Sequence, residues 1–373
     1  MQTKHQNMES KRPKARVIAF YLPQFYPTVE NDIWWRPGFT EWHNVVQAKP
    51  LYKGHYQPHL PADLGFYDLR LPETREAQAN LAREAGIEGF CYWHYWLGGG
   101  RRLLDRVFRE VVESGKPDFP FCLCWANHSW YAKNWDPNVP DKLLIEQTFP
   151  GRQDYIDHFY AMLPAFKDKR YIRVNGELLF GIFQPFQKFD FAEFASIWNE
   201  LAEKEGVNGF HFFAYSHGTD YFVKTYQQLY DAAVFDPIFG CFDGDYIPLK
   251  ESKMNDWRMR HNIASPLDYQ VYADRTIEFF KRYPFCYPCL NPNYDHSPRS
   301  KYKARILHDS TPDKWENLYR RTLELFSYRP HEENIVFIKS WNEWGEGNYL
   351  EPDAQYGKQY IERMAKVNKE LYG

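Results

Sequence analysis

Residues 335–351 read IVFIKSWNEWGEGNYLE, an apolar run that ends abruptly in two carboxylates, Glu343 and Glu346, framed by Trp341, Asn342, Trp344 and Tyr349. A strand of a parallel sheet is covered on both faces, so it reads as a short unbroken apolar run. Seven more runs of this kind occur, at 17–22, 89–93, 119–125, 178–183, 210–215, 232–235 and 285–290. Between them lie stretches with helical periodicity, at 72–85, 103–114, 154–166, 191–206, 269–282 and 312–328, several of them closed by stop signals such as EAG at 84–86 and KEG at 204–206. Alternating strands and helices imply an α/β fold with a parallel sheet and right-handed crossovers. Eight such units imply a (β/α)8 TIM barrel, a single domain with long βα loops. The competing architecture is an open doubly wound sheet, or two of them.

A barrel of this type gathers its active groups just after its strands, at the carboxyl face. Polar and aromatic residues do cluster there: Tyr21 and Gln24 after the first run; Trp93, His94 and Tyr95 at the second; Trp125, Asn127 and His128 at the third; Tyr215 and His217 at the fifth; Asp236 after the sixth; Asp295 and Arg299 after the seventh. Hydrogen-bonding groups interleaved with rings suit a hydroxyl-rich ligand. The Glu343 and Glu346 pair supplies the chemistry that breaking a glycosidic bond requires, one group to protonate the leaving oxygen and one to assist at the ring. Flanking indoles raise a carboxyl pKa by desolvation and offer faces on which a sugar lies, while Gly345 and Gly347 permit tight turns around Glu346.

The 373-residue chain carries 46 Lys and Arg against 49 Asp and Glu, a formal net charge of -3. Nothing in it suggests a nucleic-acid footprint. Aromatic residues make up 19% of the chain, more ring surface than a core alone uses. Residues 1–15 read as a disordered tail and 16–373 as the catalytic domain. The start has no apolar segment of the signal type, and no stretch approaches the eighteen apolar residues of a membrane span, so the expected location is cytoplasmic. The six cysteines read as buried thiols in a reducing compartment, the CxxC at Cys286 and Cys289 included. No metal and no cofactor are expected. The first connection, 27–71, is too rich in proline for a long helix and too aromatic for a linker, and reads as an ordered lid or cleft wall. Its His55 and His59 have i,i+4 spacing, but Pro58 argues against a zinc-binding helix. Residues 241–266 read as a second surface insertion.

Taken together, FYLPQFYP, FTEWHNV, HYQPHLPADLGFYDLRLPE, GFCYWHYW, SGKPDFPFCLCWAN, YIRVNGELLF, HDSTP and WNEWGEGNYLEPD resemble the WbsX family, a group labelled as glycosyltransferases and related to glycoside hydrolase family 99. The resemblance runs from Val17 to Tyr360. It implies a (β/α)8 barrel without metal or organic cofactor and, by analogy with family 99 endo-acting α-mannosidases, a retaining mechanism. In that mechanism one Glu takes the proton of the sugar's 2-hydroxyl and the other protonates the leaving group. Carried across by motif position, Glu343 is that base and Glu346 the acid/base. Two positions depart from the pattern: Gly345 stands where family 99 tends to have His, and His128 in WANHSW stands where WANENW has an acidic residue.

The expected activity is therefore that of a glycoside hydrolase acting on an oligosaccharide or polysaccharide, α-linked and mannose- or rhamnose-like, of bacterial surface type. A glycosyltransferase of O-antigen, lipopolysaccharide or capsule biosynthesis is the alternative. It would use Asp243, Gly244 and Asp245 as a DxD cation motif, with the glycine-rich GGGRR at 98–102 as a candidate phosphate cradle. A non-catalytic carbohydrate-binding barrel is the second alternative. No GxSxG is present, and the adjacency of Ser216 and His217 makes a hydroxyl and base pair a poor reading.

Overall fold

The computed structural model describes residues 13–133, 140–185, 189–217, 222, 227–242 and 247–373. Eight strands form its centre: β1 (Arg16–Tyr21), β2 (Gly89–Trp96), β3 (Phe121–Trp125), β4 (Glu177–Ile182), β5 (Phe210–Ser216), β6 (Ala232–Phe235), β7 (Tyr287–Leu290) and β8 (Ile335–Ile338). Each pairs in parallel with its neighbours in the chain, and β1 pairs with both β2 and β8. The ring is closed, and the open-sheet alternative falls. Every residue of β1, β2, β3 and β8 is buried, which is why these strands read as unbroken apolar runs.

The helices surrounding the ring are α1 (Pro72–Ala85), α2 (Asp105–Ser114), α3 (Arg152–Phe166), α4 (Phe191–Lys204), α5 (Tyr269–Arg282), α6 (Pro312–Leu325) and α7 (Gln359–Tyr372). Their starts follow local chemistry. Asp190, Asp268 and Thr311 accept backbone N–H groups as N-caps of α4, α5 and α6, and α1 begins on a proline and ends on the left-handed Gly86. Besides short helices of four to six residues, two longer helices among the described residues lie beyond those read from periodicity. One is α7, which closes the outer layer by setting Asn368 between the Ala85 carbonyl of α1 and the Tyr319 hydroxyl of α6. The other, Leu249–Arg260, has no buried residue at all and lies within the stretch expected to be a surface insertion. The β8 run ends at Ile338, short of the expected residue 341, because the chain turns there to bring Lys339 and the glutamates over the barrel mouth.

Residues 1–12 of the expected tail lie outside the described residues. Its last three do not behave as a tail: Ala15 is buried, and Asn334 and His331 hydrogen-bond the carbonyls of Pro13 and Lys14. The first connection is ordered, as read, with short helices at Val29–Trp34 and Trp42–Gln47. All six cysteines are buried free thiols.

Rings from opposite sides of the barrel meet inside it. Phe20 of β1 stacks on Trp93 of β2 at 4.5 Å, meets the edge of Tyr215 of β5 at 5.6 Å and lies 5.3 Å from Phe337 of β8. Such bulk needs a small neighbour. Gly181 of β4 supplies it: a Cβ there would run into the ring of Phe213 and within 2.8 Å of Cys124 Sγ. Gly181→Val should therefore lower stability by about 1–3 kcal/mol through overpacking, measured as a drop in the urea or thermal midpoint; an unchanged midpoint would refute this account of the interior.

Candidate active site

Past β8 the chain makes a miniature hairpin, Asn342–Glu343 pairing antiparallel with Asn348–Tyr349 around the tight turn Trp344–Glu346. The hairpin is pinned at its base. Asn342 accepts from the Leu22 N–H at 2.7 Å and donates to the Leu22 carbonyl at 3.1 Å, while Ser340 Oγ accepts from the Glu343 N–H and donates to the Asn348 carbonyl. Both glutamates thus stand on a braced turn at the carboxyl mouth of the barrel.

Lys339 lies between them, 3.0 Å from a Glu346 oxygen and 3.9 Å from a Glu343 oxygen. Trp93 donates its indole N–H to Glu343 Oε1 at 2.7 Å, and Arg299 reaches Glu346 Oε1 at 2.8 Å while also pairing with Glu41 at 3.2 Å. The two carboxyls are driven apart electrically. Burial raises the Glu343 pKa; Lys339 opposes the shift and the charge of Glu346 adds to it, and the outcome is about 7. Burial also works against ionised Glu346, but Lys339, Arg299 and His296 outweigh it and hold that carboxyl well below the usual carboxylate range. Burial likewise opposes the charges on Lys339 and Arg299, and the surrounding carboxylates overcome it in both. Of the two carboxyls, Glu343 is the one that keeps its proton toward neutral pH and Glu346 the one that stays ionised.

A belt of hydrogen bonds ties the strand ends together beside the pair. The Tyr215 hydroxyl donates to Asp236, which accepts at its other oxygen from Asn291, and Asn291 accepts from Asn348. Tyr95 belongs to the same neighbourhood: burial and the charge of Glu343 raise its pKa.

Above the mouth opens a cleft of about 1640 Å³. Its walls carry the rings of Trp34, Trp35, Phe39, Trp130, Tyr131 and Tyr302, flat apolar faces of the kind that suit a sugar ring. The cleft reaches the pair through side chains: Arg299 lines it and touches Glu346, and Trp130 lines it and meets the edge of Tyr95.

The residues expected to bind substrate divide by the two-residue alternation of strands. Trp93, Tyr95 and Tyr215 point into the mouth with the glutamates, His217 packs beside Tyr215 against Phe239, and Gln24, His128 and Arg299 line the cleft. The others are placed elsewhere, by packing. Tyr21 bonds Gln78 of α1; His94 bonds His158 of α3 at 2.7 Å; Trp125 donates to the Trp96 carbonyl and packs on Phe194 of α4; Trp341 lies against Phe90 in the same outer layer. Asn127 clamps the backbone of Gln184, as Asn342 clamps Leu22. Trp344 stacks on Tyr349 at 3.8 Å and donates to buried Glu351, and the Tyr349 hydroxyl bonds Asp353 and His59. Asp295 accepts from His55 and Gln57, so the two histidines brace loops and share no ligand.

Two members of the site were not singled out from sequence. Lys339 carried a signal, a cation directly after a buried apolar strand. Glu41, buried in FTEWHNV, carried little, because only the fold brings it to Arg299. It also explains Gly345, since a Cβ there would collide with the Glu41 carboxylate and sit 3.0 Å from Arg299 Nε. The DxD at 243–245 lies outside the described residues. Of the glycine-rich loop, Gly98 is packed against Thr148, and Gly99 donates its N–H to Asp154, a carboxylate where a phosphate cradle would need open donors. Among the described residues no group of three or more His, Cys, Asp or Glu is arranged to hold a metal ion.

Comparison with known proteins gives consistent results. The family profile described as Glycosyltransferase WbsX matches residues 17–364. WxcX, an uncharacterized protein of Xanthomonas campestris pv. campestris, is 34% identical over 366 residues, which cover 93% of this chain and 49% of WxcX. The chain therefore spans about half the length of the curated relatives it matches. Among solved structures, a glycoside hydrolase-like protein superposes with a TM-score of 0.59 at 14% identity, covering 97% of this chain and 95% of its own. The GH99 endo-alpha-mannosidase from Bacteroides thetaiotaomicron, solved with bis-tris-propane, superposes with a TM-score of 0.54 at 16% identity, covering 95% and 97% respectively. These structures share the fold.

The raised Glu343 pKa has a stability consequence. The folded protein binds a proton there that the unfolded chain releases above about pH 4.5, so this contribution is full below that pH and is lost as pH rises through about 7. Glu343→Gln removes the loss. The variant should gain thermal stability relative to the parent between pH 5 and pH 8, on the order of 1–3 kcal/mol at the upper end; a gain independent of pH would contradict this proton placement.

Proposed function

Because the chain belongs to the WbsX glycosyltransferase family, we propose that it is a carbohydrate-active enzyme that cleaves an α-linked glycan with retention of configuration, using Glu343 and Glu346. The observation that carries this reading is the electrical split of the pair: two adjacent carboxyls, one holding its proton to about pH 7, the other kept ionised by Lys339 and Arg299. Paired groups whose environments drive their pKa values apart identify the acid and its anionic partner. On this reading Glu343 gives its proton to the leaving oxygen, the bonding pair stays with that oxygen, and ionised Glu346 supports the positive charge growing at the anomeric carbon. Water later delivers the hydroxyl and returns a proton to Glu343. This proton placement reverses the roles that the family 99 resemblance implies for the two positions.

The cleft supports a glycan of several residues, since its rings and polar side chains extend beyond the space that one sugar fills. The family's description favours a second reading, transfer of the glycosyl group to a sugar hydroxyl in place of water. The same pair would serve it.

Glu343→Gln and Glu346→Gln should each lower turnover at least about a hundredfold, the scale of lost acid–base assistance. A substrate with an activated aryl leaving group separates the roles. Its bond cleavage should survive Glu343→Gln and fail in Glu346→Gln; the opposite pattern would restore the assignment implied by the resemblance, and full activity of both variants would sink the mechanism.

A further inference from the structure

The cleft is not electrically neutral along its length. Lys133 pairs with Asp141 at 2.6 Å, and Arg299 is neutralised by Glu41 and Glu346, so these two cations are spoken for. Arg260, Lys301 and Lys303 also line the cleft, and none has a carboxylate partner among the described residues. Three cations with no carboxylate partner among the described residues thus line one cavity, in a chain whose formal net charge is -3. They come from separate parts of the fold, Arg260 from the end of the exposed helix Leu249–Arg260 and the lysines from the turn Lys301–Lys303. That turn continues directly from Ser297–Ser300, the segment that presents Arg299 to Glu346. Tyr302, between the two lysines in sequence, lines the same cavity.

The geometry points to an acidic glycan: the cleft wall bearing Arg260, Lys301 and Lys303, none of which touches Glu343 or Glu346, holds an anionic substituent, a ring carboxylate or a phosphate ester, on a sugar other than the one whose bond is cleaved. The assignment rests on the glycan-acting reading of Glu343 and Glu346 and adds the charge of the substrate. A concave wall combining stacking faces with cations fits a charged saccharide better than the flat or convex basic surface by which nucleic acid or an anionic membrane is met. Arginine and lysine together accept either anion, since a guanidinium forks onto two oxygens and an ammonium acts as a point charge.

Calorimetric titration of the full chain carrying Glu343→Gln, which lowers turnover on such substrates and leaves the Arg299–Glu346 pair in place, tests the proposal. The probes are three sets of α-linked oligosaccharides matched in length: neutral, uronate-containing and 6-phosphorylated. Acidic members should bind at least about tenfold more tightly than neutral ones at 50 mM salt. The advantage should shrink at 500 mM, where the screening length falls to a few ångströms. In the Lys301→Ala/Lys303→Ala double variant, and in Arg260→Ala to a lesser degree, the ratio of acidic to neutral affinity should collapse toward one. Whichever acidic set binds more tightly identifies the anion. Equal affinity for acidic and neutral members overturns the proposal and leaves the glycan reading standing. A preference that survives all three substitutions overturns the placement, and binding of none of the three sets overturns the proposal and the glycan reading together. Because the substituted side chains lie at the surface, circular dichroism of the variants should match the parent.

Discussion

Everything at the mouth of this barrel depends on the meeting of its first and last strands. Strand β1 lies in parallel register with β8, Arg16 opposite Ile335 through Ala19 opposite Ile338, and the Asn342 amide then grips both backbone groups of Leu22. A side-chain amide that satisfies an N–H and a C=O together replaces one more rung of the ladder just where the ladder stops. The hairpin bearing the glutamates is hung from that rung. Its position is therefore fixed by contacts more than 300 residues apart in sequence.

Charge is organised around the same hairpin. Glu41, Arg299, Glu346, Lys339 and Glu343 form a chain of alternating sign from the cleft wall to the barrel interior. With two cations and three acids, full ionisation would leave a net negative charge in a desolvated place. Retaining a proton on the innermost acid removes it, and Trp93 can still donate to that carboxyl. The split between the two acids follows from the number of charges held in a confined space.

The fold was legible because barrel strands are buried on both faces and end sharply in polar residues, so length and punctuation sufficed to find all of them. Helix α7 escaped notice because it follows the last strand, beyond the strand–helix alternation that guided the reading, and Leu249–Arg260 escaped because a helix with no buried residue has no apolar stripe to read. The candidate site was half legible. Listing residues after each strand ignored their alternation, so His94 and Trp125 were grouped with Trp93 and Tyr95 although they face the helices. The rings around the glutamates mislead for another reason: Trp344 and Tyr349 look like a sugar platform, yet their faces meet each other and their polar atoms bond Glu351 and Asp353. Glu41 shows the converse case, a carboxylate in a loop whose partner is 258 positions away.

The absence of a side chain at position 345 sets the shape of the cleft floor. The Glu41 carboxylate and the Arg299 guanidinium occupy the volume into which any larger residue would project. A side chain there would push the carboxylate of Glu41, the far end of a flexible side chain, away from Arg299. The missing Cβ thus acts as a spacer: it lets an ion pair from two distant loops close beneath the hairpin and holds the guanidinium against Glu346.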